Sequence, residues 1–457
     1  MTIASVRFFD NGIVQLENIQ AGGFPFCLFL FCGVHANIDY METIVDLHIH
    51  SKYSRACSPL LVPANLARWS DKKGIQVLGT GDFTHPAWNK LLKEELVEDA
   101  PGLFKLKDGN FKARFVLTTE ISCIYKRGGK TRRVHNCVLA PSFAAVDSII
   151  AQLKARGCNL HSDGRPIIGV DSEDLLKIIQ EASPDCMLIP AHAWTPWYAI
   201  FGSMSGFESL EECFGENTKY ITAIETGLSS DPAMNWRLSK LDDTLLVSNS
   251  DAHSLPSLAR EANVFEIDPK KLSYFEILRI LREKDRSKFL YTIEFYPEEG
   301  MYHFDGHRAC KKRMHPEETA KNNGLCPVCK KPVTVGVYSR VAKLADRPEG
   351  FKPKGQVPYK SIVPLEEIIG EALDKGPNTK GVQAIYENML LHSTEFGILL
   401  HDPYEAIAVY APPIVVDGIR RVREGKLIVD PGYDGEYGTV SIFSDKDRKG
   451  FGQTKLI

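Results

Sequence analysis

Val45-Asp46-Leu47-His48-Ile49-His50 is the stretch on which this 457-residue chain turns. Val45, Leu47 and Ile49 alternate with Asp46, His48 and His50, the period of a β-strand. The pattern sets two imidazoles on one face beside a carboxylate. A single His on an apolar strand is ordinarily a core residue. Two at i and i+2 are harder to explain by packing, and imidazole is the commonest metal ligand. The strand is therefore expected to open a metal centre that the rest of the chain completes.

Working outward, more candidates stand at the polar ends of short apolar runs. Asp82 and His85 lie in Thr80-Gly81-Asp82-Phe83-Thr84-His85, directly after the run 75–79. Glu120 sits near the end of a strand over 111–121, and His135 lies in a strand over 134–140. His192 comes off the strand 186–190 in Ala191-His192-Ala193-Trp194-Thr195-Pro196-Trp197. Asp251 and His253 follow the strand 244–247. Helical patterns fall between these strands, over 63–73 (Pro63 at its start, Gly74 after it), 91–97, 146–155, 172–181 (capped by Asp171), 231–241 and 274–282. Short strands alternating with helices, with chemistry at the strand ends, predict an α/β barrel of seven or eight strands. A doubly wound open sheet is the alternative. It would gather its ligands at one switch point, which suits so many contributing strands less well.

His48, His50, Asp82, His85, Glu120, His135, His192, Asp251 and His253 are too many ligands for one ion. Two or three ions sharing them, with Glu120 bridging, is the natural arrangement. Mixed imidazole and carboxylate ligands suit Zn, Mn or Fe, with Mg a further candidate. Glu120, Asp82 and Asp251 are the carboxylates expected to serve catalysis. Paired ions clamp both oxygens of a phosphoester displacement, so phosphoester hydrolysis is the expected reaction class. Lys52 and Arg55, in the polar loop after the first strand, would suit a phosphate, although Lys52 alone reads as well as a solvated side chain. Asp46 either orients a ligand His or bonds to backbone. His161 lies far from any strand end and stays outside the ligand set.

Net charge is −3, with 44% hydrophobic and 25% charged residues, an ordinary globular composition for two or three domains. The average hides a basic window. Residues 303–360 hold thirteen Lys and Arg against five Asp and Glu, a local +8 on a remainder of −11. That window contains His307-Arg308-Ala309-Cys310, then fifteen residues, then Cys326-Pro327-Val328-Cys329. Two knuckles of this spacing predict one structural zinc held by His307, Cys310, Cys326 and Cys329. His303 is a weaker alternative to His307. So short and polar a segment has little core, so zinc would hold it folded. Lys311, Lys312, Arg313, Lys330 and Lys331 on its surface suit phosphate contacts or simple solubility. Eleven cysteines with no signal peptide argue against a disulfide framework.

The apolar run 24–34 holds Pro25 and is too short for a membrane helix, which needs about 20 residues. Residues 1–40 are expected to be an extension upstream of a start at Met41, or a disordered or weakly packed arm. A membrane-peripheral anchor is the alternative, and the cytoplasm is the default location. The remaining boundaries are a catalytic barrel over 41–300, a zinc-binding module over 301–340 and a mixed, largely helical region over 341–457. In that last region 365–373, 382–391 and 415–424 read as helices and 426–443 as a hairpin.

With these motifs in hand, the 41–300 region resembles the PHP (polymerase and histidinol phosphatase) superfamily. Its members are distorted seven-stranded βα barrels that bind up to three metals. The matching positions are His48 and His50, Asp251 and His253, Glu120 as bridge, and His135 and His192. Many members have Asp and His adjacent in the second motif. Here two residues separate Asp82 from His85, so His85 carries over less securely. The full set, in order, from Asp46-Leu47-His48-Ile49-His50-Ser51-Lys52-Tyr53-Ser54 through Gly79-Thr80-Gly81-Asp82-Phe83-Thr84-His85-Pro86 and His192-Ala193-Trp194-Thr195-Pro196-Trp197 to the zinc module, resembles the endonuclease Q family of DNA repair nucleases. The resemblance spans 41–457. It implies a cut 5′ of a deaminated base (uracil, hypoxanthine, xanthine) or an abasic site, leaving a 3′-hydroxyl and a 5′-phosphate. Such an enzyme takes the base out of the stack. Trp194 and Trp197, with Ser162 and Arg165 from the loop 162–165, are the candidate pocket and contact residues, although aromatics beside a barrel strand more often pack. Damaged DNA is the expected partner, the replication clamp a candidate second one, and no membrane is expected. A phosphomonoesterase acting on a small metabolite and a non-catalytic binding module are the competing readings. Oligomeric state is left open.

Overall fold

The opening strand, β1, spans Glu42–Asp46. It stops there because side chains replace its ladder bonds. Asp46 accepts from Ser250 N (3.1 Å), Ser250 Oγ (2.6 Å) and Ala259 N (2.9 Å), and Leu47 N donates to Asn249 Oδ1 (2.8 Å). Beyond Asp46 a single parallel bridge, Ile49 to Ala252, continues the pairing. The strict alternation expected over Val45–His50 therefore breaks. Val45 and Leu47 share one core cluster, while Ile49 packs in another. His48 and His50 nonetheless stay close, with ring centroids 5.4 Å apart.

The computed structural model describes residues 42–444 and Asp447, and the backbone of two short strands, Ser5–Phe8 and Val14–Glu17, which pair antiparallel. The readings for the rest of residues 1–40 lie outside the described residues. Thr43–Ile457 form one compact unit, with Met1–Glu42 a separate one.

The main sheet is mixed. β2 (Val77–Gly79) and β3 (Arg114–Arg127) run parallel to β1. β4 (Lys130–Ala140) returns antiparallel along the length of β3, and β5 (Met187–Pro190) pairs antiparallel with β4. β6 (Ala223–Glu225) and β7 (Leu245–Val247) pair in parallel. Past β5, Ala193 N donates to Glu225 O (2.9 Å), and past β7, Ala252 O accepts from His50 N (3.1 Å). The seven strands thus close a ring from β1 back to β1, the distorted barrel that was expected. β8 (Ala262–Glu266), β9 (Phe289–Glu294) and Tyr359–Ser361 extend the sheet from the other side of β1.

One element departs from the expected alternation. β3 and β4 are a single long hairpin, where sequence reading has two separate short strands. Its turn is Gly128-Gly129, at φ 59° and 74°. A two-residue hairpin turn with positive φ at both positions matches strand twist, and glycine adopts it without strain.

The helices over Pro63–Lys73, Ser172–Ala182 and Tyr274–Glu283 fall where expected, and Asp171 accepts from Glu173 N as the cap. The helix expected over 231–241 is only Pro232–Asn235 and a turn, Ser239–Leu241, because Leu238 between them is extended. Beyond the barrel, Leu365–Ala372, Lys380–Leu390 and Pro413–Arg423 bury Ile368, Tyr386 and Ile419 in a core continuous with the barrel's. Ile428–Asp430 and Thr439–Ser441 form the expected hairpin. Among the described residues no helix is long and apolar enough to cross a membrane.

Candidate metal centre

Glu120 stands at the middle of the barrel mouth, fully buried, with its two oxygens facing different partners. Oε2 lies 3.6 Å from His48 Nε2 and 3.3 Å from His50 Nε2. Oε1 lies 2.6 Å from His135 Nδ1 and 3.0 Å from His192 Nε2. Asp251 Oδ1 completes the first side, 3.0 Å from His50 Nε2 and 3.6 Å from His48 Nε2. Two ligand groups result, His48–His50–Glu120–Asp251 and Glu120–His135–His192, and they share one carboxylate.

The imidazoles are oriented from behind. His48 Nδ1 is 3.0 Å from Glu225 Oε2, and His50 Nδ1 is 3.1 Å from Asp82 Oδ1. His192 Nδ1 is 3.1 Å from Thr195 Oγ1, whose hydroxyl donates to Trp197 O (2.9 Å). A carboxylate or hydroxyl on Nδ1 keeps the proton there and leaves the Nε2 lone pair facing the centre. His48 Nε2 is buried with no hydrogen-bond partner among the described residues. An orphaned imidazole nitrogen amid borderline N and O donors fits a divalent transition metal.

The backbone is bent to bring these groups inward. Asp82, His192 and Asp251 have φ of 50°, 28° and 45°, a left-handed conformation that ordinary residues rarely adopt. Each costs on the order of 1 kcal/mol, and such strain clusters at functional sites. Burial alone would push the Glu120 carboxyl up. The polar groups packed on it, His135 first, then Arg165 and His48, hold it well below the usual range. Burial also pushes His135 down to about 4, so that imidazole is neutral and its lone pair available.

The Cys/His segment forms a second group. His307, Cys310, Cys326 and Cys329 have ligand atoms within 4.8 Å of one another. The strands Asp305–His307 and Lys312–Met314 pair beside them. The core there is only Met314, Cys326 and Val333, with Cys310 and Cys329 packed against it. So small a core fits a fold that a tetrahedral zinc completes.

The model of the MJ0043 C-terminal domain matches residues 364–426, the helices beyond the barrel. The crystal structure of endonuclease Q in complex with a 27-mer duplex substrate with an abasic lesion at the active site matches with a TM-score of 0.77. It is 30% identical in sequence, and the match covers 89% of this chain and 98% of that one. The chain belongs to the endonuclease Q family. The lesion-specific endonuclease Q from Pyrococcus furiosus also matches with a TM-score of 0.77, at 29% identity over 91% of this chain and 100% of its own. An uncharacterized protein of Methanocaldococcus jannaschii is 31% identical over 258 residues, 56% of this chain. That match spans about a third (32%) of the relative's length.

Against this endonuclease Q frame, the predicted residues divide. His48, His50, Glu120, His135, His192 and Asp251 converge. Asp82 sits one step back. Its Oδ1 meets His50, and its Oδ2 accepts from Ser51 N (2.7 Å), Ser51 Oγ (2.6 Å) and Ser54 Oγ (2.9 Å). His85 stacks on Tyr53 at 4.4 Å and His253 lies 4.7 Å from the His50 ring, both outside the two ligand groups. Glu225 is the residue that sequence reading missed. It ends the apolar strand Ala223–Glu225, the kind of position that sequence reading gives Glu120, and that position was the available signal.

A cleft of about 490 Å³ opens over the centre, lined among others by Arg55, His135, Arg165, His192, Trp197 and Asp251. Arg165 donates to Glu120 Oε2 (3.1 Å), so this cation reaches the centre itself. Arg55 pairs with Asp163 at 3.3 Å. Trp197 is 36% exposed at the cleft wall. Trp194, by contrast, is wholly buried and donates to Asn235 Oδ1 (2.7 Å), which removes it as a stacking surface for a base. Ser162 is exposed, and Lys52 is exposed with its ammonium 5.4 Å from the Tyr53 ring. Lys311, Lys312, Lys330 and Lys331 are exposed on the module. Arg313 is tied to Asp430 and Pro431 O of the hairpin.

Proposed function

We propose that this chain is a divalent-metal-dependent DNA repair endonuclease that nicks one strand at a lesion. The observation that carries the reading is the shared Glu120, with one oxygen turned to each ligand group at the floor of an open cleft. Its endonuclease Q relative, solved with an abasic duplex at the active site, supports the substrate class. The finer specificity is part of the proposal: hydrolysis of the phosphodiester 5′ of uracil, hypoxanthine, xanthine or an abasic site, leaving 3′-hydroxyl and 5′-phosphate ends.

His48, His50, Glu120 and Asp251 would hold one ion and Glu120, His135 and His192 another, supplying a deprotonated water and charge neutralisation at the phosphate. His85 and His253, at the edge of the first group, are the remaining candidates for a third. Glu225 and Asp82 keep the two first-strand imidazoles in the tautomer that faces the centre. Arg165 and Arg55, both on the cleft, place cationic forks where a backbone phosphate would lie. Trp197, the exposed indole on the wall, offers a face for a base drawn out of the stack. The Cys/His module would bind one structural zinc and carry its lysines toward the duplex.

The test is a nicking assay with Mn²⁺ or Mg²⁺ on end-labelled duplexes carrying one uracil, one hypoxanthine, one abasic site or no lesion. A single cut 5′ of the lesion is expected, absent from the plain duplex, abolished by chelator and lost in Glu120→Gln. No cut in any duplex, with rapid phosphate release from a small phosphomonoester, would replace this reading with a metabolic phosphatase.

A further inference from the structure

One wall of the cleft is the loop 194–207, which carries Thr195, Trp197 and Tyr198. Thr195 orients His192, and the Tyr198 ring lies 4.9 Å from His135. The loop is folded on itself, with Phe201 N donating to Ala193 O (2.9 Å) and Phe207 N to Ile200 O (2.6 Å). It has no strand or helix of its own, so its position depends on what grips it.

Arg340 grips it from another part of the chain. Its Nε donates to Phe201 O (2.9 Å) and its Nη2 to Phe207 O (2.8 Å). The guanidinium is 9% exposed, and Glu208, 3.9 Å away, is 59% exposed. Burying a cation this deeply is costly unless its donors are satisfied. Here two loop carbonyls satisfy them. A planar fork can hold two carbonyls in fixed relation, whereas an ammonium is a single point.

Arg340 belongs to the helix Val337–Leu344, which the Cys/His module holds at its start. Asp305, wholly buried, accepts from Gly336 N (2.7 Å) and Ser339 Oγ (2.6 Å). Val337 N donates to Tyr302 O (2.8 Å) and Tyr338 N to His303 O (3.0 Å). A side chain at position 336 would meet the Phe304 carbonyl carbon at 2.4 Å, so only glycine allows this approach. Asp305 and His307 share one strand, and Gly306 exchanges both backbone bonds with Thr334. The Trp197 ring meets Tyr302 edge-on at 5.5 Å. A continuous set of bonds thus runs from the zinc-ligand strand to the cleft wall.

We infer that Arg340 is a positioning residue through which the Cys/His module sets the cleft wall, holding Trp197 and Thr195 in register with the metal centre. The inference deepens the endonuclease reading and rests on it for what the wall receives. It gives the module a role in lesion engagement beyond its lysines.

The experiment follows amide exchange across the full-length protein, together with zinc content, KM and kcat on a lesion duplex. Arg340→Met removes both donors at similar length. Exchange within 194–207 should quicken at least about tenfold while β3 amides keep their protection. KM should rise about tenfold with kcat changed by less than about threefold, the pattern of lost substrate binding. Cys326→Ser should quicken the same segment, with one equivalent of zinc lost. Arg340→Lys keeps the buried cation but not the fork, and should quicken the segment to a smaller extent. It also stands in for Arg340→Met if that variant does not fold. Unchanged exchange over 194–207 in a folded Arg340 variant would overturn the inference. So would acceleration spread equally over β3, which marks a general stability role, or a Cys326→Ser protein whose loop stays protected. If the wild type cuts no duplex, the endonuclease reading fails, while exchange still decides whether Arg340 links module to wall.

Discussion

Lys73 Nζ and a Glu395 carboxylate oxygen meet at 3.2 Å, with side chains only 4% and 3% exposed. Lys73 ends a barrel helix, and Glu395 lies between the second and third of the helices beyond the barrel, so the pair spans the seam between them. Tyr386 donates to the same carboxylate (2.8 Å) and so does Leu365 N (3.3 Å). Removing one partner leaves a buried charge uncompensated. Lys73→Met should lower unfolding free energy by about 3–5 kcal/mol, and adding Glu395→Gln should recover part of that loss. Urea unfolding of the single and double variants checks this. Equal losses in both would show that the pair is not coupled.

Glu225 and Asp82 orient His48 and His50 from their Nδ1 side. Glu225→Gln and Asp82→Asn should each weaken divalent-metal affinity by about 10–100-fold, with activity returning as metal is raised. Titrating metal into the apo-protein while following nicking and bound metal checks this. A loss that no metal concentration repairs would place the two carboxylates in the reaction itself.

Glu294 is buried, and that burial lifts its carboxyl from 4.5 to about 8, against hydroxyl donation from Thr292 and Thr226 and with Asp231 nearby. A carboxyl whose folded pKa is raised binds its proton more tightly in the native state. Its contribution is therefore fully present below about pH 4.5, is lost as pH rises, and is gone above about pH 8. Glu294→Gln should flatten the fall in Tm over that window by an amount equivalent to roughly a few kcal/mol. An unchanged Tm profile between pH 5 and 8 would remove Glu294 as its source.

Lys311, Lys312, Lys330 and Lys331 are exposed on the module. If each meets one phosphate, replacing all four with Ala should flatten the slope of log Kd against log salt by up to about 0.9 per lysine. Lesion preference should persist, because phosphate contacts position the protein and carry no base identity. Fluorescence anisotropy with lesion and plain duplexes at several salt concentrations reads both quantities. An unaltered slope would mean that the lysines serve solubility alone.

Much of the centre was legible because its ligands are local in sequence. His48 and His50, and the knuckles at 307–310 and 326–329, announce themselves by spacing; Asp251 was marked by its pairing with His253, although His253 itself lies outside the two ligand groups. The closed barrel follows from strands whose polar ends carry His, Asp and Glu. What escaped depends on partners set only by the tertiary fold. Glu225 has no motif of its own and acts by meeting His48, 177 residues away. Asp82 is visible as a site carboxylate, but its turn toward His50 Nδ1 follows from a φ of 50°. Trp194 and Trp197 look alike in sequence. The loop's internal bonds bury one and leave the other on the cleft. The β3–β4 hairpin was missed because charged residues interrupt its apolar pattern next to the two-glycine turn.

The bond between Asp46 and Ser250 spans 204 residues. His48 and His50 leave the ribosome early, but their partner Asp251 emerges only after about 200 more residues. At elongation speeds of roughly 5–20 residues per second, that is a delay of roughly 10–40 s. During that interval the nascent chain lacks the bridge from Ile49 to Ala252 and the carboxylate that completes the first ligand group. A partly made chain therefore cannot bring Asp251 to His48 and His50, and the first ligand group closes only when nearly the whole barrel has been synthesised.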